Sequence, residues 1–148
     1  MQELNGQVAV ITGGASGIGL ALAYRFAEAG MAVAVGDVEE LALDVAVEEL
    51  RGSGANVYGA QLDVSDVESM GSFAAEAADA LGPPHVVCLN AGVASSRPIV
   101  DHTLDDWQWV LGVNLWGIVH GLDAFLGCLL YTSPSPRDLS TSRMPSSA

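Results

Sequence analysis

Lysine is absent from all 148 residues: the five basic side chains are arginines, set against 18 carboxylates for a formal charge of −13. A surface that acidic excludes a sequence-independent grip on nucleic acid, which needs basic groups to neutralise phosphates. Cysteine is nearly absent too. Cys88 lies in an apolar run and reads as a small buried hydrophobe, Cys128 stands far from it, and neither a zinc site nor a disulfide framework is expected. His85, His102 and His120 have no metal or nucleophile spacing and read as surface or packing residues. No uninterrupted run of about 18 apolar residues occurs, and no basic segment followed by an apolar one opens the chain. Neither a membrane span nor a signal peptide is expected, and the cytoplasm is the default compartment.

What is present is apolar and ordered, with 50% hydrophobic residues, enough for one domain with its own core. The chain is organised around Val8-Ala-Val-Ile-Thr-Gly-Gly-Ala-Ser-Gly-Ile-Gly19. A β-branched run breaks into a glycine loop, and a helical pattern follows at once over 17–29. A helix that begins at the carboxyl end of a buried parallel strand turns its N–H groups and positive dipole end toward whatever lies above it, and a diphosphate fits there. Gly13 allows the sharp turn, Gly17 lets phosphate oxygens approach the backbone, and Gly19 lets the helix pack closely on the strand. A second apolar run, 31–35, delivers Asp37 about 20 positions beyond the loop, where a carboxylate can meet ribose hydroxyls.

The remaining pattern alternates. A helix with Leu41, Val45, Val47 and Leu50 on its apolar side ends near Gly52. Strand 56–62 leads to a helix over 67–81 capped by Ser65 or Asp66, and strand 86–89 leads to Asn90-Ala91-Gly92. A small-residue loop over 93–101 precedes a long helix over 103–126, in which Trp107, Leu111, Leu115 and Ile118 read as core. The three tryptophans, Trp107, Trp109 and Trp116, belong to helix packing rather than to a substrate box. Glu39, Glu40, Glu48 and Glu49 read as a solvated face. The fold class expected is α/β: a doubly wound, Rossmann-like parallel sheet with strand order 3-2-1-4, cut off after the long helix.

Thr12-Gly13-x-x-x-Gly17-x-Gly19, Leu62-Asp63-Val64, Asn90-Ala91-Gly92 and Asn114 within Val113-Asn114-Leu115 occur in an order that resembles the short-chain dehydrogenase/reductase family, over roughly 5–127. The resemblance implies that Gly13, Ser16, Gly17, Ile18 and Gly19 cradle the diphosphate of a nicotinamide dinucleotide. It implies that Asp37 accepts the ribose hydroxyls, that Asp63 and Val64 flank the adenine, and that Asn90, Ala91 and Gly92 line the nicotinamide ribose. Asp63 has the alternative of beginning a turn, Asn90 that of satisfying backbone groups at a strand end, and Asn114 that of a purely structural role. NADP-binding members usually carry a base where this chain has Ser16 or Val38, so NAD is the expected cofactor, NADP the lesser alternative, and no metal is expected.

In the family a tyrosine serves as acid/base, a lysine four residues on lowers its pKa, a serine holds the substrate oxygen, and an asparagine supports a proton-relay water. Here only Asn114 is present. Tyr24, Tyr58 and Tyr131 are followed at the fourth position by Glu28, Leu62 and Ser135. The chain as written is therefore expected not to catalyse, although a longer parent would move a hydride between the cofactor and a small alcohol or ketone. The alternative is a non-catalytic dinucleotide-binding module. The parent is expected to be a homo-oligomer; oligomerisation of this chain alone is doubtful. From Cys128 the periodicity stops. Cys128-Leu-Leu-Tyr-Thr-Ser-Pro-Ser-Pro-Arg-Asp138 resembles a translated sequencing adapter, so 1–127 is expected to be an incomplete NAD(P)-binding domain and 128–148 a non-native or disordered tail.

Overall fold

The computed structural model describes residues 3–132; most of the expected tail, 133–148, lies outside the described residues. Val8–Thr12 forms β1, buried at every position. It is followed by α1 (Gly17–Glu28), β2 (Ala32–Asp37), α2 (Glu40–Gly52), β3 (Val57–Gln61), α3 (Val67–Leu81) and β4 (Val86–Leu89). A 3-10 turn at Ile99–Asp101 leads into α4 (Leu104–Leu111), which passes through a π-helical turn at Gly112–Trp116 into α5 (Gly117–Thr132).

All strand pairs are parallel and the order is β3-β2-β1-β4, as the alternation of strand and helix signals predicts. Successive side chains of a strand leave opposite faces, so the sheet divides the core in two. Ile11, Val33 and Val35 pack under Ala23 of α1 and Leu43, Val47 and Leu50 of α2. Val10 and Ala34 meet Met70, Phe73 and Ala77 of α3 and Phe125 of α5 on the other face. Asp66 caps α3 by accepting the Glu68 N–H, which decides between the two expected caps. Gly30, at φ 82°, ends the turn after α1.

Three expectations are corrected. On α2 the buried stripe is Leu43, Ala46, Val47 and Leu50, at i, i+3, i+4 and i+7. Leu41 and Val45 fall off that stripe and are 84% and 57% exposed. On the long helix, Trp107, Leu111, Leu115 and Ile118 are not core either, each being more than 40% exposed. The face that meets the sheet is Gly117, Gly121 and Phe125, one helical turn apart. A β-carbon on Gly117 would stand 2.7 Å from Val64 Cγ2, and one on Gly121 would run into the Leu89 side chain. Close backbone approach there turns the large apolar residues outward. Finally, the long helix expected to end at 126 runs further, because α5 continues through Cys128 to Thr132. Its leucines are good helix formers and the next proline is Pro134.

The run Leu104–Tyr131 is long and apolar enough to cross a membrane by length and composition, a property that a search for uninterrupted apolar runs does not detect. Here the same helix is docked on the sheet through Phe125 and the two glycines.

Candidate functional site

At the carboxyl edge of the sheet the chain leaves β1 through Gly13 at φ 64°, a left-handed conformation that suits glycine. A β-carbon on Gly13 would sit 2.8 Å from Ala91 Cα, and one on Gly19 would collide with the Gly13 carbonyl oxygen. Gly17, at φ 54°, faces open space. The three glycines thus differ in what they do: Gly13 turns, Gly19 lets α1 approach, and Gly17 leaves the loop surface bare. Ser16 is the N-cap of α1 but its side chain makes no capping bond, and no acid stands in the first turn. The first turn of this twelve-residue helix therefore leaves its N–H groups without a side-chain acceptor of its own.

The loop is stitched to its neighbours. Gly14 N–H donates to the Gly36 carbonyl at 3.2 Å, and Ala15 N–H donates to Asp37 Oδ2 at 3.0 Å. Asp37 Oδ1 accepts the Glu39 N–H at 3.1 Å. On the other side, Asn90 Nδ2 donates to the carbonyls of Thr12 and Gly13, both at 3.1 Å. The hydroxyl of Thr12, a polar side chain in the core, accepts from the Asn90 and Ala91 backbone N–H groups. Asn90 therefore does satisfy backbone groups, and in doing so it fixes the loop to the end of β4.

Asp63 makes a turn: its Oδ1 accepts the Ser65 N–H at 2.9 Å and the Ser65 hydroxyl at 2.6 Å. Asn114 lies in the π-helical turn, a distortion often found where a helix serves a site. Its Oδ1 accepts the Val93 N–H and its Nδ2 donates to the Val93 carbonyl, both at 2.8 Å. It pairs with Val93 as a neighbouring strand would, and so holds the loop after β4.

Residues from four separate parts of the chain meet in one open cavity of about 570 Å³. Gly13, Ser16, Gly17 and Ile18 come from the loop, Asp37 from β2, Asp63 and Val64 from the end of β3, and Asn90, Ala91 and Gly92 from β4. Gly19 and Asn114 do not line it; they brace what does. Val38, Glu39, Leu62, Ser65, Val93, Trp109 and Val113 complete the wall. Of these, Trp109 corrects an expectation: assigned to helix packing on its spacing, it is 49% exposed and lines the cavity.

The histidines serve packing: His85 Nδ1 accepts the Val8 N–H and His120 Nδ1 bonds the Val64 carbonyl. Burial pushes the Cys88 thiol up, leaving it a poor nucleophile. Burial and the Glu76 carboxylate push the Tyr58 phenol up to about 12, and Tyr58 does not line the cavity, so it is no acid/base candidate at neutral pH.

The short chain dehydrogenase family model matches residues 7–135. A Sphingobium Cα-dehydrogenase is 41% identical over 127 residues, 85% of this chain and 42% of that protein. Among solved structures, a short-chain dehydrogenase/reductase from Burkholderia phymatum in complex with NAD superposes with a TM-score of 0.86 at 40% identity, over 88% of this chain and 47% of that one. A blue fluorescent protein from a metagenomic library, in complex with NADPH, gives 0.79 at 31%, over 85% and 52%. The chain thus spans about half the length of these relatives. A sheet of order 3-2-1-4, a glycine loop at the start of α1 and the matched family model together place the chain in the short-chain dehydrogenase family of oxidoreductases.

Proposed function

We propose that this chain is the cofactor-binding half of an NAD-dependent dehydrogenase acting on a small alcohol or ketone, and that as written it binds the dinucleotide without turning it over. The observation that carries the reading is the convergence of the loop, Asp37, Asp63 and the Asn90 turn on one cavity beside the uncapped start of α1. The fit is chemical as well as spatial. Bare backbone at Gly17 and the α1 dipole suit a diphosphate, the Asp37 carboxylate suits ribose hydroxyls, and Leu62 and Val64 offer apolar surface beside Asp63 for a base. A bound nicotinamide would supply a hydride donor or acceptor. Around it, Asn90 holds the loop to β4, and Asn114 fixes Val93, and with it the backbone beside the expected nicotinamide site.

NAD is favoured over NADP because Asp37 and Glu39 both line the cavity and would repel a 2′-phosphate, and among the described residues no cation lines it. Titration calorimetry should show NADH bound at least about tenfold more tightly than NADPH. Asp37→Arg should reverse the order; an unchanged preference would mean that the carboxylate does not meet the ribose. Absence of heat with either cofactor would overturn the function.

The reading of this chain as catalytically silent is supported by its lack of any lysine to partner a tyrosine. NAD-dependent turnover by the purified chain would refute it. The second reading is a binding module that does not catalyse. Coding DNA that continues from codon 127 into a Tyr-x-x-x-Lys pair would decide for the dehydrogenase, a stop codon there for the module. The family and the acidic surface favour the cytoplasm as its compartment.

A further inference from the structure

Asp37 faces two ways. One carboxylate oxygen takes the N–H of Ala15 across 22 residues of sequence, and the other takes the N–H of Glu39, the N-cap of α2. Ala15 is 7% exposed, its methyl packs in the core beneath α1, and it immediately precedes Ser16 and Gly17, which line the cavity. A buried backbone donor must find an acceptor, and for Ala15 that acceptor is a side chain rather than another strand. The preceding N–H, on Gly14, goes to Gly36, so two consecutive loop donors are tied to two consecutive residues of β2.

We infer that Asp37 is a positioning residue for the diphosphate loop, acting through Ala15, in addition to any contact with ribose. The inference rests on the dinucleotide reading of the cavity. A carboxylate offers about four acceptor directions. Two are taken by Ala15 and Glu39, and two remain for the vicinal hydroxyls of a ribose, so both roles can be filled at once. Removing the carboxylate leaves the Ala15 N–H buried without a partner and frees the segment leading to Gly17. The loop must then be ordered at the expense of binding.

The two roles separate with a ligand that keeps adenine and diphosphate but has no ribose hydroxyls, 2′,3′-dideoxy-ADP, compared with ADP. Asp37→Ala and Asp37→Asn remove the same charge, but an amide oxygen can still accept from Ala15. On the whole 148-residue chain, with thermal melting confirming that each variant is folded, dideoxy-ADP should bind Asp37→Asn about tenfold more tightly than Asp37→Ala. The Ala15 amide should exchange at least about tenfold faster in Asp37→Ala than in the unsubstituted chain without any ligand, with Asp37→Asn between the two. Equal affinity of the two variants for dideoxy-ADP, or unchanged Ala15 exchange, overturns the positioning role and leaves only a ribose contact. If the unsubstituted chain binds neither ADP nor dideoxy-ADP, the cofactor reading falls and takes this inference with it, whatever Ala15 does.

Discussion

Gly17 and Gly19 stand two residues apart and are glycines for different reasons. At Gly17 the backbone is left-handed and the space beside it is empty. At Gly19 the backbone is ordinary and the space is filled by the Gly13 carbonyl and the Asn90 amide. Gly17→Ala should therefore cost about 1 kcal/mol of stability through strain and a larger share of NADH affinity. Gly19→Ala should cost about 3 kcal/mol, because the obstruction is backbone that cannot move aside. Chemical denaturation of both variants beside NADH titration checks the contrast. The glycine spacing made these positions legible in the sequence. The bonds of Asp37 to Ala15 and of Asn114 to Val93 were not, since nothing in a one-dimensional string ties an acceptor to a donor some twenty residues away.

Among the elements, α4 has the most self-contained start. Thr103 accepts the Asp106 N–H while Asp106 accepts the Thr103 N–H and hydroxyl, a reciprocal capping box. Thr103→Ala should destabilise the chain by about 1 kcal/mol. The Thr103 backbone and hydroxyl donors, with Arg97 and His102 nearby, hold the Asp106 carboxyl below its usual value of 3.8. Because the folded value is depressed, the contribution of Asp106 is full above that ordinary value and disappears as pH falls through the lower folded one. The stability difference between the unsubstituted chain and Asp106→Asn should accordingly shrink on acidification below pH 3.8; a difference that grows would reverse the assignment. The span of α3 could be read from Asp66 and the Met70, Phe73, Ala77 stripe. The buried face of α5 could not, because two of its three contacts are glycines, which count for nothing in a search for hydrophobic periodicity.

For the whole molecule, protection should be uneven. The central strands β1 and β2 carry hydrogen bonds on both edges and are buried, β1 at every position and β2 at all but its two end residues, whereas β4 pairs with β1 alone among the described residues and all its residues are only half-buried. The helix beyond it turns Trp109, Leu115, Trp116 and Leu122 toward solvent. Hydrogen exchange should find β1 and β2 slowest and β4 with α4 and α5 faster. Uniform protection through residue 132 would mean that this face has a partner in solution. The strand order was legible because strand and helix signals alternate and parallel crossovers have one hand. The exposure of the last helix was not, since apolar residues that face solvent look the same in sequence as those that are buried.

The strand order also bears on synthesis. A ribosome releases the glycine loop and Asp37 early, but the wall that Asn90 and Ala91 bring to Thr12 and Gly13 lies up to 79 residues further along the chain. A nascent polypeptide stalled before the fourth strand would expose the glycine loop with its clasp missing, so on the proposed function coenzyme affinity on the ribosome should switch on only after that strand has cleared the exit tunnel.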